Sequence, residues 1–102
     1  MCDILDLDTL VSYNEKAIVS RTILESEAGT ITAFAFDKGQ NISEHTAPFD
    51  AIVQVIDGKA LFIVEGKPFE VKKNQMIIMP AGIPHAVNAT EAFKMLLTMI
   101  RK

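Results

Sequence analysis

Turn-forming residues recur along this chain about every eight to twelve residues, and this spacing restricts the fold more than any other feature of the sequence. The segments between the turns are short and rich in β-branched and aromatic residues, which favour strands. The predicted strands cover residues 18–25, 30–36, 51–56, 60–64, 69–71, 76–79, 85–88 and 93–100. Strands spaced in this way indicate an all-β fold, either an antiparallel sandwich or a barrel.

The N-terminal residues follow a different pattern. In residues 5–11 the apolar positions recur at intervals of three and four, which predicts a short helix or turn capped by Asp6 or Asp8. Residues 1–17 are therefore predicted to form an extension, and residues 18–100 are predicted to form the barrel. The whole chain of 102 residues is expected to be one domain.

Two glycines are predicted to lie in tight turns. Asp57-Gly58 is the strongest two-residue hairpin signal in the chain, because both residue types tolerate the positive φ angles of such turns. Gly82 lies in a proline-rich connection between two predicted strands. We expect a positive φ angle at Gly82, which glycine adopts at no steric cost.

The composition excludes several classes of protein. Ten basic and thirteen acidic residues give a net charge of −3, and no basic cluster exceeds Lys72-Lys73, so no nucleic-acid partner is expected. The apolar runs are much shorter than the ~20 residues of a membrane-spanning helix, so no membrane partner is expected. Cys2 is the only cysteine, which excludes an intrachain disulfide. Because the N-terminus is acidic, unlike that of a signal peptide, the protein is expected to be cytoplasmic.

Some predicted strands are apolar on both faces, as in Ile77-Ile78-Met79 and Met95-Leu96-Leu97. In an antiparallel sheet such strands are covered on both sides. One face is expected to pack inside the barrel and the other against a second sheet or subunit, which predicts a homodimer. The following aromatic and thioether side chains are predicted to fill the core: Phe34, Phe36, Phe49, Phe62, Phe69, Phe93, Met76, Met79, Met95 and Met99.

The chain has two histidines, and each lies in a distinctive motif. His45 follows Gly39 and precedes Gly58, and His85 ends the segment Pro80-Ala81-Gly82-Ile83-Pro84-His85. In these motifs the sequence, from about residue 18 to residue 100, resembles the cupin superfamily of small double-stranded β-helix (jelly-roll) barrels. The resemblance implies that the two imidazoles are neighbours inside one barrel and face a shared pocket.

The resemblance also implies a metal site, but an incomplete one. In cupins, two histidines and a glutamate of the first motif and one histidine of the second usually bind a divalent metal. His45 and His85 are the implied ligands here, whereas the other two positions are Ala47 and Ala51, whose methyl groups cannot bind a metal. Two neutral imidazoles without a carboxylate would hold a divalent cation weakly. These departures favour a metal-free barrel over one with a weakly held divalent metal.

Side-chain alternation along the strand that follows His45 predicts which residues line the pocket, and a bend in that strand would supply a replacement metal ligand. Alternate residues from His45 onward share one face if the strand is regular, so Phe49, Ala47 and Ala51 are predicted pocket residues. A bend at the intervening proline would instead turn Asp50 toward the histidines. Two histidines and one carboxylate form the kind of site that suits non-haem iron, with positions left open. Both arrangements are compatible with the sequence.

Three functions are compatible with these residues. The first is binding of a small organic ligand in the barrel pocket without catalysis, which the replaced metal ligands favour. The second is a metal-dependent enzyme of the oxygenase or isomerase type that uses His45 and His85 as its remaining ligands. The third, which the single tyrosine of the chain disfavours, is a metal-free enzyme with a histidine as general base, as in jelly-roll sugar epimerases. The fold does not identify a substrate, because it supports many unrelated chemistries.

Overall fold

The computed structural model describes residues 2–101, which form antiparallel strands joined by short turns. The strands are β1 Ile18–Ser26, β2 Gly29–Phe36, β3 Asn41–His45, β4 Phe49–Asp57, β5 Lys59–Val64, β6 Lys67–Lys72, β7 Met76–Met79, β8 His85–Asn88 and β9 Phe93–Arg101. A short 3-10 helix spans Leu7–Thr9. No helix within residues 2–101 has the length and apolar character needed to cross a membrane.

The strands form two sheets that enclose a common core. One sheet has five strands in the order β1-β2-β9-β4-β7, and the other has four strands in the order β3-β8-β5-β6. From β3 onward the chain repeatedly crosses from one sheet to the other. This arrangement is the predicted all-β jelly roll, in which apolar side chains of both sheets fill the interior.

The turn at Gly58 has a different role from the one predicted. Gly58 has a positive φ angle of 69°, as a tight turn requires, but it joins β4 of the five-stranded sheet to β5 of the four-stranded sheet. The hairpin prediction is therefore wrong, although the turn prediction is confirmed. A two-residue hairpin occurs instead at Glu65-Gly66, where both φ angles are positive and Val64 pairs with Lys67.

Two local predictions, for β3 and for the N-terminal helix, differ from the structure. Strand β3 was not predicted, since its residues are polar apart from Ile42 and it is ordered by pairing with β8. The N-terminal helix is shorter than predicted and covers only Leu7–Thr9. Asp6 occupies its N-cap position, but the Asp6 side chain makes no capping hydrogen bond.

The residues after this helix cover part of the outer face, which is the side of the five-stranded sheet away from the core. Leu10 and Val11 are each 5% exposed and pack against Ala33 and Ala35, which are fully buried. The Arg21 guanidinium donates a hydrogen bond to the backbone carbonyl of Leu10 at 3.2 Å. Part of the apolar outer face is thus covered by the chain's own N-terminal extension.

Two further side chains fix this extension. The Tyr13 hydroxyl donates a hydrogen bond to the Asp57 carboxylate, and the Lys94 ammonium donates to the Asp8 carbonyl at 2.8 Å. Burial, followed by the hydrogen bond to Asp57, raises the pKa of Tyr13 well above its usual value. The phenol therefore stays protonated, and remains a donor, throughout the physiological pH range.

The core contains aromatic contacts both within the five-stranded sheet and between the two sheets. Phe36 stacks on Phe93 with ring centroids 4.6 Å apart, and Phe62 of the four-stranded sheet meets Phe93 edge-on at 6.3 Å. All three rings are fully buried. The prediction that every phenylalanine lies in the core is wrong for Phe69, which is 45% exposed. Met76 is likewise exposed and lies outside the core.

The remainder of the outer face carries a continuous row of side chains, which we call the apolar row. Its members are cross-strand neighbours, one from each strand of the five-stranded sheet: Leu24, Ile31, Thr98, Ile52 and Ile78. The first and last of them are 60% and 62% exposed. The apolar row contains no charged residue, although its two end members face solvent.

The fold predicts a specific cost at Gly58. A Cβ atom added there would lie 2.2 Å from the carbonyl oxygen of Ala92, whereas one added at Gly66 would meet no atom within 4 Å. Both glycines have positive φ angles, so Gly66→Ala is the matched control for backbone strain. We expect Gly66→Ala to lower the free energy of unfolding by about 1–2 kcal/mol. Gly58→Ala should lower the free energy of unfolding by about 1–3 kcal/mol more, because the connection from β4 to β5 must move away from Ala92.

Urea denaturation of the two variants checks this prediction. Equal losses of stability in Gly58→Ala and Gly66→Ala would show that the close approach to Ala92 has no energetic consequence.

Candidate functional site

The two histidines are direct neighbours. His45 ends β3, His85 begins β8, and the two residues pair across the antiparallel strands. Their ring centroids are 4.3 Å apart, and the ring planes are inclined at 66°. The sequence motifs, forty residues apart, thus bring both imidazoles to one place in the four-stranded sheet.

An irregularity in β3 decides which side chain joins His85. Asn41 and Ile42 pair with β8 in one register, and His45 pairs in a register shifted by one residue. In a regular strand Glu44, not His45, would share the inward face of Ile42, because side chains alternate. The extra residue therefore turns the histidine inward, as β-bulges commonly do beside binding sites.

Both sheets contribute to a cavity at this point, which we call the histidine cavity. It has a volume of about 50 Å³ and is lined by Ile42, His45, Phe62, His85 and Val87 of the four-stranded sheet, and by Phe34, Val53, Met79, Met95 and Leu97 of the five-stranded sheet. None of these lining side chains is a carboxylate, an amine or a guanidinium. The cavity is therefore apolar except for the imidazoles and the two thioethers.

Backbone carbonyls determine which nitrogen of each imidazole carries the proton and which one is available to a ligand. Nδ1 of His45 lies 2.9 Å from the carbonyl oxygen of Ser43, and Nδ1 of His85 lies 3.0 Å from that of Ile83. A carbonyl oxygen only accepts hydrogen bonds, so each Nδ1 must carry the proton. In the neutral rings Nε2 then has the free lone pair, which can accept a hydrogen bond or bind a metal.

The two histidines differ in exposure. His85 is only 7% exposed, whereas His45 is exposed to solvent. The cavity therefore has a buried end and an accessible end. A molecule that enters beside His45 would reach His85 in an environment largely protected from water.

The loop before β8 holds His85 in place, and two predicted site residues support that loop. The amide of Ala81 donates to Oδ1 of Asp50, and the amide of Gly82 donates to the carbonyl of Ala47, both at 2.9 Å. Gly82 has the predicted positive φ angle, here 79°. Asp50 and Ala47 thus connect the start of β4 to the loop that presents His85.

The other predicted pocket residues lie away from the cavity. Phe49 is half-buried under the Arg101 guanidinium, 5.8 Å from its ring centroid, and Ala51 is buried in the core. Neither they nor Ala47 are among the lining residues. The alternation that was expected from His45 onward is broken because β3 ends at His45 and β4 begins only at Phe49. Val53, two residues further along the inward face of β4, lines the cavity instead.

A divalent metal does not fit the donor atoms of this cavity. Among residues 2–101, no three histidine, cysteine, aspartate or glutamate side chains form a group that could hold a metal ion. Asp50, the candidate third ligand, accepts a hydrogen bond from the Ala81 amide and does not line the cavity. The two imidazoles alone provide neither the number of ligands nor the negative charge of a typical divalent site.

Solved structures with the same fold extend over most of the chain. A conserved protein of unknown function from Streptococcus pyogenes is 39% identical, covering 100% of this chain and 90% of that chain with a TM-score of 0.93. A cupin 2 conserved barrel domain protein from Leptotrichia buccalis is 44% identical, with a TM-score of 0.92. That match covers 95% of this chain but 47% of the other, so this chain spans about half the length of the Leptotrichia protein.

More distant comparisons agree on the fold. A cupin superfamily protein from Desulfitobacterium hafniense is 23% identical over 96% of this chain and 90% of that chain, with a TM-score of 0.91. No curated protein matches the sequence. The family model of the cupin domain matches residues 33–100, a range that includes both histidine motifs. Because this match covers 68 of the 102 residues, the chain belongs to the cupin family.

Proposed function

We propose that this protein binds a small organic molecule in the histidine cavity. The observation that supports the proposal is the pair of imidazoles, whose ring centroids lie 4.3 Å apart among apolar walls and whose Nδ1 atoms both contact backbone carbonyls, which leaves Nε2 of each neutral ring as the acceptor. Small-molecule sites typically combine an apolar wall with a few polar atoms that fix orientation. The ligand would place an apolar part against the phenylalanine and aliphatic side chains and donate a hydrogen bond to at least one imidazole.

The size of the cavity limits the ligand. Drug-sized ligands occupy pockets of about 300–1,000 Å³, whereas a water molecule takes about 30 Å³ in the liquid. A cavity of about 50 Å³ therefore suits a molecule of only a few non-hydrogen atoms, or the terminal group of a longer one that protrudes beside His45.

Catalysis is the second candidate function. A metal-dependent oxygenase or isomerase would use His45 and His85 as ligands, and the feature in its favour is that both histidines stand at the spacing of the family's motifs. The lining residues offer no carboxylate to complete such a site. A metal-free acid–base role has less support, because within residues 2–101 neither lysine, tyrosine nor a carboxylate lines the cavity beside the histidines.

Ligand binding is testable with a pair of valine variants. Val53 lines the cavity, whereas Val71 is a buried core residue that does not. We expect Val53→Leu to reduce the affinity for cavity ligands about tenfold by narrowing the cavity, and Val71→Leu to leave it unchanged. A library of small organic molecules, each with a hydrogen-bond donor, is screened by methyl NMR against both variants and the native protein.

The outcome is decided by the position of the shifts. Binders that perturb the methyl groups of Val87 and Leu97 support the proposal, since both residues line the cavity. Absence of any such binder, or equal weakening by Val53→Leu and Val71→Leu, would refute it.

The tautomers of the two histidines give a second prediction. Because each Nδ1 donates to a carbonyl oxygen, both neutral rings should carry the proton on Nδ1, although free imidazole side chains generally prefer Nε2. Long-range ¹⁵N–¹H NMR spectra in alkaline buffer distinguish the two forms, and His45→Gln assigns the signals. Finding the proton on Nε2 of His85 would remove the acceptor on which the proposed ligand depends.

We also propose that the apolar row is the contact between two copies of the chain. The apolar row crosses all five strands, a width of about 24 Å, on the part of the outer face that the N-terminal extension leaves uncovered. Each partner in a standard interface buries about 800 Å², and the apolar row would form the centre of such a contact. The row has no charge that would repel an identical copy. Leu7 and Met76 are further exposed apolar residues, and they line one surface depression together with Gln54.

The dimer proposal predicts the effect of one lysine. Ile78→Lys should convert the dimer to a monomer without unfolding it, because Ile78 is 62% exposed within the chain. Phe69→Lys is the matched control, since Phe69 is an exposed apolar residue of the other sheet. Light scattering at micromolar concentration measures the mass. A native protein that is already monomeric would contradict the proposal.

A further inference from the structure

The histidine cavity contains a second kind of donor atom that the proposed function does not use. Met79 of β7 and Met95 of β9 line it from the five-stranded sheet, while His45 and His85 line it from the four-stranded sheet. Each methionine is only 2% exposed. The cavity therefore brings two imidazoles and two thioethers together in a largely water-free space.

We propose that the histidine cavity binds a soft monovalent cation, Cu(I) or Ag(I), through Nε2 of His45 and His85 and a thioether sulfur of Met79 or Met95. Thioethers are soft ligands that select Cu(I), and imidazole also binds copper. Hard divalent cations prefer carboxylate, carbonyl and water oxygens. The side chains that line this cavity offer nitrogen and sulfur atoms but no carboxylate, so they match a soft cation such as Cu(I).

The charge of the cavity leads to the same conclusion. Transferring an ion from water into an apolar site costs a solvation energy that rises with the square of its charge, so a divalent ion costs about four times as much as a monovalent one. No lining side chain is negatively charged. The uncharged ligands of this cavity are therefore better suited to a monovalent cation than to a divalent one.

The arrangement of the imidazoles is compatible with shared binding. At a metal–nitrogen bond length of about 2.0 Å, the centroids of two rings that bind one ion lie within about 6 Å of each other. The observed separation is 4.3 Å. Each Nδ1 is already bonded to a backbone carbonyl, which is the outer contact that usually orients a metal-binding histidine.

The site also has an entry path. His45 is exposed, whereas His85 and both methionines are buried, so an ion would enter at His45 and be held deeper in the cavity. This inference goes beyond the proposed organic ligand. The ion and the donor group of such a ligand would compete for the same Nε2 atoms, yet either could bind without the other.

The experiment uses Ag(I), which has the charge and softness of Cu(I) without its redox chemistry. The exposed thiol of Cys2 would bind Ag(I) itself, so all proteins carry Cys2→Ser. We expect calorimetry to show binding of one equivalent and NMR to show shifts of both imidazoles and of a Met79 or Met95 methyl group. Zn(II) should bind at least about tenfold more weakly.

Methionine variants test the thioether contribution. The double variant Met79→Leu/Met95→Leu keeps the side-chain volume and should lower the Ag(I) affinity about tenfold or more. Met76→Leu is the matched control, because Met76 is 53% exposed and lies outside the cavity, and it should leave the affinity unchanged. His85→Gln should also weaken binding.

Three results would overturn the inference: no Ag(I) binding in the Cys2→Ser protein, equal affinity in the Met79→Leu/Met95→Leu variant, or tighter binding of Zn(II) than of Ag(I). If Ag(I) does not bind but organic ligands still shift the cavity methyl groups, the proposed ion site is refuted and the proposed function is not. Ag(I) binding without any organic ligand would refute the proposed function alone.

Discussion

Apolar packing between the two sheets is the interaction on which the rest of this structure depends. Backbone hydrogen bonds hold each sheet together, whereas Phe62 of the four-stranded sheet joins it to the other sheet by its edge contact with Phe93, which stacks on Phe36 within the five-stranded sheet. The histidine cavity is the place where this packing is incomplete. Its chemistry follows from that position, because the only lining atoms able to bind a ligand by polar contacts or coordination are ring nitrogens and thioether sulfurs set among buried apolar groups.

The cavity combines a rigid end with an accessible one. His85 is buried and follows a loop that Asp50 of β4 and the carbonyl of Ala47, just before β4, both support. His45 is exposed and owes its direction to the irregularity of β3. Two of the positions where the cupin resemblance implies metal ligands are thus occupied by Ala47 and Ala51, whereas the two imidazoles lie next to each other as the resemblance implies. The loss of a complete divalent site and the retention of a shaped cavity support ligand binding more than metal-dependent catalysis.

Most of the fold could be predicted because turn chemistry and strand propensity are local properties. The motifs around Gly39, Gly82 and the histidines carry the resemblance to cupins, and that resemblance implied the jelly-roll barrel and the neighbouring imidazoles. The cavity wall could not be predicted in the same way. Phe49 and Ala51 were expected there on the assumption of one regular strand, but the chain leaves the four-stranded sheet at His45 and starts β4 at Phe49. Side-chain alternation cannot be extended across such a break.

The sequence by itself determined the class of the fold and most of its turns, since these follow from residue types and their spacing, and its resemblance to the cupins indicated that the two histidines are neighbours. Only the tertiary structure decided which side chains of the opposite sheet face the histidines, and that Met79 and Met95 lie beside them. These features depend on contacts between residues far apart in the chain and on a one-residue shift in register. The physical reason is that packing across two sheets is set by the whole barrel, whereas propensity and turn formation are set by a few neighbouring residues.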